Sequence, residues 1–380
     1  MGTREESLPE ALFTVDGTKI VTAEQWEKKR RPEILDLFRE HVYGREAVKR
    51  PKNLGFKTVE KEGMMKGLSK RKKVNITFEG PGGVGLLRLL LFIPTQPVKP
   101  VPVFLLINNR RLEDEDPERD MRSPFWPAEY IISRGYAAAV FHVEDIDPDY
   151  NDGFQNGVHG IFDSPDQPRP SNAWGTISAW AWGASRVMDY FETDPEINSE
   201  QVALVGHSRG GKTALWAGAV DQRFAMVVSN NSGNTGAALS RGKKGETIQI
   251  INNGFPHWFT ENYKNYNDKE YELPVDQHML LSLIAPRLLY VASASDDYWA
   301  DPESEFLSLV HAEPVYRLFG LHGLGTRQFP TLDSPVHRDN VGYHVRTGKH
   351  DLLEYDWQCF INFADYYLET GVSCKGLRSQ

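Results

Sequence analysis

A three-layer α/β sandwich is the fold class this 380-residue sequence predicts, its central sheet mostly parallel but antiparallel at the N-terminal strands. Two observations carry that expectation. From Val101 onward, short and fully apolar runs alternate with helical patterns, as parallel strands covered on both faces require. Before Val101 the chain reads as strands of alternating polarity joined by a tight glycine-rich loop, which is an antiparallel grammar.

The elements follow in order. Thr22 with Gln25 resembles a capping box and opens a helix through about His41, whose Trp26, Ile34, Leu37 and Phe38 form an apolar face and whose end suits Gly44. Strands are expected at Gly55–Val59, Lys73–Glu79 and Gly85–Ile93, with Gly80-Pro81-Gly82-Gly83 as the hairpin loop. Apolar strands follow at Val103–Ile107, Ala137–Phe141, Val202–Val205, Met226–Ser229 and Leu288–Val291. Helices are expected near Pro127–Ser133, Trp174–Glu192, Lys212–Val220, His278–Leu283, Pro302–Leu318 and Glu354–Leu368. With no internal repeat and no Ser/Gly-rich linker, one domain over 1–380 is the expectation, the first 50 or so residues forming a helical extension packed on it.

Composition narrows the function. The chain is 40% hydrophobic and 25% charged, which supports a packed core and argues against disorder. A net charge of −9 points away from nucleic acid. The basic cluster Lys66–Lys73 (Lys66, Lys70, Arg71, Lys72, Lys73) reads as a solvated turn between strands. No apolar run reaches the ~18 residues that span a bilayer, and no signal peptide is visible. The two cysteines, Cys359 and Cys374, could pair but say little about redox compartment.

The chemistry centres on Gly206-His207-Ser208-Arg209-Gly210, a G-x-S-x-G between a strand ending at Val205 and a helix from about Lys212. In that context the motif is a nucleophile elbow, a turn that lifts the serine hydroxyl above the sheet edge. Glycine two residues before and after the serine tolerates the crowding, and the Arg209 amide is a candidate oxyanion donor. The segment through Thr213 also satisfies G-x-x-x-x-G-K-[ST], a phosphate-binding loop. That loop normally follows the first strand of its domain, whereas several strands precede this one. It stands as the competing reading.

In an elbow fold the acid and then the histidine follow the serine in the chain. His350, shortly before the final helix, fits the histidine, with His344 as competitor. The acid belongs on the loop leaving Leu288–Val291, where Asp296 is the expected residue and Asp297 the alternative. Asp301-Pro302 reads as a helix cap with proline at the first turn. The second oxyanion donor belongs to Asn108-Asn109-Arg110-Arg111, without indicating which amide.

These blocks resemble the glucuronoyl esterases, carbohydrate esterase family fifteen, and its bacterial branch in particular. The most specific is Gly206-His207-Ser208-Arg209-Gly210-Gly211-Lys212, which fits a G-x-S-R-x-G-K signature. Asn231-Ser232-Gly233, the stretch from Phe255 to Arg287 and Gly348-Lys349-His350-Asp351-Leu352 agree with it. The resemblance implies an α/β-hydrolase without metal or organic cofactor that cleaves esters of (4-O-methyl)-glucuronic acid, as in links between glucuronoxylan and lignin. It implies a triad of Ser208, His350 and Asp296 or Asp297, oxyanion contact from Arg209, and sugar contacts from Lys212, Trp299 and Glu246. A monomer, secreted or periplasmic, is expected, without nucleic-acid partner or membrane span. Fungal members carry their acid after the next strand, where this chain has Asn231, and an amide cannot supply the charge. Another carbohydrate esterase, such as an acetylxylan esterase, and a non-catalytic carbohydrate-binding relative remain as alternatives.

Overall fold

In the computed structural model, described for residues 8–95, 100–164 and 166–369, the apolar runs assemble into one ten-stranded sheet. Its strands are β1 (Leu54–Gly63), β2 (Ser69–Gly80), β3 (Gly83–Pro94), β4 (Val101–Asn108), β5 (Ala137–His142), β6 (Ile197–His207), β7 (Met226–Asn230), β8 (Leu288–Ala294), β9 (Val336–Arg338) and β10 (Val341–Arg346). The order is β1-β2-β3-β5-β4-β6-β7-β8-β10-β9. Pairings are antiparallel from β1 to β5 and parallel from β5 through β10, and β9 returns antiparallel.

Alternation within the apolar runs splits them between two cores. In β4, Val101, Val103, Leu105 and Ile107 face one cluster while Phe104 and Leu106 face the other. β3 and β6 divide the same way, with Leu89 and Leu204 on the first side and Leu90 and Val205 on the second. This is the period of two that any strand imposes, applied to a sheet buried on both faces. One face is covered by α2 (Thr176–Phe191), every residue of which is buried, and by α3 (Arg209–Val220). The other is covered by residues 128–133 and by α5 (Glu354–Ala364), through Trp357, Phe360 and Ile361. α4 (Pro302–Leu318) follows β8.

The N-terminal helix runs from Ala23, through a π-helical stretch at Trp26–Arg30, into α1 (Arg31–His41). Thr22 caps it by accepting from the Gln25 amide at 3.2 Å. The segment docks on the sheet layers: Arg31 donates to the carbonyls of Ala219 (2.7 Å) and Leu283 (3.3 Å), and Tyr43 stacks on Trp216 with ring centroids 4.4 Å apart.

Two expectations need correction. Lys70, Arg71 and Lys72 are not in a solvated turn but in β2, with Arg71 and Lys72 buried. Lys72 donates to both Asp194 oxygens at 2.9 and 2.7 Å, so acids from another part of the chain make the burial tolerable. β10 was not expected, because His344 and Arg346 interrupt its apolar pattern. Both are buried and satisfied by Asp356, at 2.8 and 3.0 Å. His344 is therefore a structural histidine on the sheet. Cys359 is a buried free thiol, and Cys374 lies outside the described residues.

Candidate active site

β6 delivers the elbow. Ser208 sits at φ 56°, ψ −123°, between the last strand residue and the first turn of α3. Such a backbone is costly for a residue with a side chain and persists only where its surroundings hold it. Here the Ser208 amide donates to the Asn230 carbonyl at 2.9 Å, tying the turn to the end of β7. A Cβ on Gly206 would lie 1.9 Å from the Gly210 carbonyl oxygen, which is why the first elbow position takes only glycine. The first amides of α3, beginning with Arg209, have no carbonyl one helical turn back and can receive an oxyanion.

The end of β10 and the loop after β8 bring the partners together. His350 Nδ1 lies 2.6 Å from Asp297 Oδ2. Asp297 is buried, and its carboxylate also accepts from Asn231 Nδ2 at 2.9 Å and from the Ala300 amide at 3.2 Å. Burial pushes its pKa up, but the hydrogen bond and charge of His350, with the Asn231 and Ala300 donors, hold it below the usual carboxylate range. Asp296 points away: it is exposed, and among the described residues its side chain accepts from its neighbour Ser295 at 3.0 Å. Its amide instead donates to the Gly348 carbonyl at 2.9 Å, joining the acid loop to the histidine loop. The carboxylate that meets His350 is thus Asp297, one residue beyond the expected one. The turn after β8 places residue 296 on its outer side and residue 297 on its inner side. Nor is the Asn231 position vacant. Asn231, at φ 48°, donates its side-chain amide to the carboxylate that meets His350.

Behind His350 lies His207, fully buried with its ring centroid 4.6 Å away. Arg110 Nη2 lies 2.9 Å from His207 Nε2, and His207 Nδ1 lies 2.6 Å from Asn230 Oδ1. An arginine can only donate, which assigns the proton to Nδ1 and leaves the ring neutral. Burial, with the charges of His350 and Arg110, pushes its pKa well below the usual histidine value. Arg110 also pairs with Asp351 at 3.1 Å, so the β4 loop holds the chain next to His350. The Arg110 amide is occupied by Asn108 Oδ1 at 2.9 Å.

Ser208, Arg209, Lys212, Glu246, Trp299 and His350 share the wall of one cavity of about 300 Å³, together with Phe255 and Trp258. Arg209 is clamped: its guanidinium pairs with Asp149 and lies 5.2 Å from the Trp258 ring centroid and 5.7 Å from that of Phe255. Asp149 in turn accepts from Trp258 Nε1 at 2.7 Å and from His257 at 3.2 Å. Lys212 is buried, and its ammonium is spent on the Ser232 carbonyl (2.6 Å), the Asn234 carbonyl (2.5 Å) and Glu246 (3.4 Å). Lys212 thereby supports Glu246, whose other oxygen accepts from Trp299 Nε1 at 3.3 Å. A lysine so engaged has no proton left for a phosphate, which removes the phosphate-loop reading.

Two contributors escaped the sequence. Asp149 comes from a loop remote in the chain, with no motif to mark it. Glu305, in the first turn of α4, reads as an ordinary helix-start acid. In the fold it is fully buried behind Asp297, accepting from the Gly233 amide at 2.9 Å and from Ser293 Oγ at 2.6 Å. Burial outweighs those donors and pushes its pKa up to about 7. A carboxyl raised above its free value contributes stability that is complete below about pH 4.5 and lost as pH rises through 7. Glu305→Gln is therefore expected to gain on the wild type by up to about 3 kcal/mol between pH 4 and pH 8, read by urea unfolding at both. No change with pH would show that the carboxyl already ionises freely.

Elbow, sheet order and a histidine held by a carboxylate after β8 define an α/β-hydrolase with Ser208 at its nucleophile position. Comparison with known proteins narrows the class. Residues 128–320 match the model of the fungal glucuronyl esterase family. The chain is 41% identical to "Carbohydrate esterase MZ0003" of an unknown prokaryotic organism, over 96% of this chain and 90% of that one. It superposes on the solved glucuronoyl esterase from Solibacter usitatus with a TM-score of 0.88 and 41% identity, covering 95% of this chain and 98% of that one. A 4-O-methyl-glucuronoyl methylesterase of Phanerochaete chrysosporium is 36% identical over 38% of this chain and 33% of its own length. The protein belongs to the glucuronoyl esterase family and is a carboxylic ester hydrolase.

Proposed function

We propose that the protein hydrolyses esters of (4-O-methyl)-glucuronic acid, with the uronate as the acyl half, by a Ser208–His350–Asp297 relay. The observation that carries this reading is the His350–Asp297 pair at 2.6 Å on the wall of the cavity that Ser208 opens into. His350, oriented by Asp297 at Nδ1, takes the Ser208 proton at Nε2 as the hydroxyl attacks the ester carbonyl. The Arg209 amide and its clamped guanidinium stabilise the oxyanion, and the imidazolium returns the proton to the departing alcohol. Water, activated by the same histidine, then releases the uronate from the acyl-enzyme.

Glu246 and Trp299 form the sugar side: a carboxylate for ring hydroxyls, and an indole that is 54% exposed and free to lie against the C–H face of a pyranose. Lys212 holds Glu246 in place. On this reading the natural substrates are ester links between glucuronoxylan and lignin, polymers that lie outside the cytoplasm. Among the described residues no helix is long and apolar enough to cross a membrane, and no cluster of His, Cys, Asp or Glu is arranged to hold a metal ion. The reading is tested by incubating the protein with benzyl glucuronate. Glucuronic acid and benzyl alcohol should appear in equal amounts, and their absence would remove it.

A further inference from the structure

The sugar-side tryptophan stands on a loop, Tyr298–Asp301, that is short, exposed at its tip and attached directly to Asp297. Tyr298 and Trp299 are 76% and 54% exposed, so little apolar burial holds this tip. What holds it is a second loop, 241–246, laid against its backbone. Lys243 Nζ donates to the carbonyls of Trp299 at 2.9 Å and Ala300 at 3.0 Å, and to that of Lys244 at 2.8 Å. The Lys244 amide donates to Asp301 Oδ2 at 2.9 Å, and the Glu246 amide to the Trp299 carbonyl at 3.2 Å. Gly245, at φ 75°, lets the loops touch: a Cβ there would lie 2.6 Å from the Trp299 carbonyl oxygen.

We propose that Lys243 is a positioning residue for the sugar side of the site, its ammonium stapling the Trp299 loop to the loop that carries Glu246. The proposal rests on the assignment of Trp299 and Glu246 to sugar binding. The physical case is that three carbonyl oxygens converge on one charged donor with three protons, so each proton is used and the two loops are fixed in relative position. The staple thereby helps keep the indole beside the Glu246 carboxylate, which Trp299 Nε1 also meets at 3.3 Å, so that the two groups present one surface to a pyranose. Lys243 makes no contact with Ser208, Arg209 or His350 and takes no part in proton transfer.

The staple is sensitive to pH. Burial pushes the Lys243 pKa down to about 8, although Asp301, Glu246 and Glu305 favour the charged form, and Lys212 adds to the opposition. Above that pH a neutral amine has two protons for three carbonyls, and the loops loosen.

The test is Lys243→Met, with Lys243→Gln as the milder variant should the first fail to fold. For either, KM for benzyl glucuronate should rise about tenfold with kcat nearly unchanged, while hydrolysis of 4-nitrophenyl acetate, which has no sugar, stays at the wild-type rate. Amide hydrogen exchange at Lys244 and Glu246 should accelerate. In the wild type KM should climb above pH 8, and in Lys243→Gln that climb should vanish. Unchanged KM and unchanged exchange would overturn the proposal. So would an equal loss on both esters through kcat, which would mean that Lys243 merely supports Asp297. If the wild type fails to cleave glucuronate esters at all, the substrate assignment falls. Exchange at Lys244 and Glu246 still decides whether the staple exists.

Discussion

Ser208→Ala is expected to lower kcat on a glucuronate ester by roughly 10⁴–10⁶-fold while leaving the fold intact. The residue's strained backbone is imposed by the Ser208 amide bond to Asn230 and by the packing of Gly206 against Gly210, and an alanine keeps both. Only the hydroxyl is lost, and with it the covalent route. Because serine and histidine act as one unit, adding His350→Ala to Ser208→Ala should cost little more than either change alone. Steady-state kinetics of the two single variants and the double variant check this. A double variant that lost the product of the two single effects would show the residues working independently, against the relay.

Asp297→Asn is expected to lose about 10³–10⁴-fold in kcat, whereas Asp296→Asn stays close to the wild type. The adjacent acids are chemically alike, and their surroundings separate them. Asp297 accepts from His350, Asn231 and the Ala300 amide inside the protein, while the Asp296 side chain faces water. An amide at 297 can present a donor to Nδ1 and so favour the tautomer that cannot accept the Ser208 proton. It also removes the negative charge opposite the imidazolium. Comparison of kcat for the two variants at one pH measures the difference. A large loss at 296 with little at 297 would reverse the assignment.

What the sequence made legible was local. The elbow is contiguous, and its glycines, serine and flanking strand and helix all lie between Ile197 and Val220, so motif and context could be read together. The parallel core was legible for the same reason: each run of apolar residues is a strand by itself. The choice between Asp296 and Asp297 was not, because it depends on the phase of one turn, and a one-residue shift reverses which side chain points inward. Nor was Asn231's part, since its donation to Asp297 joins residues 66 positions apart. Asp149 and Glu305 were invisible because each acts on a group reached only through the fold. Lys212 was legible by spacing, which put it at the mouth; the carbonyls and Glu246 that its ammonium meets were not, because the fold alone brings them there. β10 was missed where buried His344 and Arg346, both answered by Asp356, imitate a polar loop.

The central claim is that the site recognises the acid half of the ester as a uronate. Its most direct test is the ratio of kcat/KM for benzyl glucuronate to that for an acetyl ester with a comparable leaving group. Recognition by Glu246 and Trp299 predicts a ratio well above one, collapsing toward one in Trp299→Ala through loss on the glucuronate alone. A wild-type ratio at or below one would contradict the account and assign the same serine to acetyl esters.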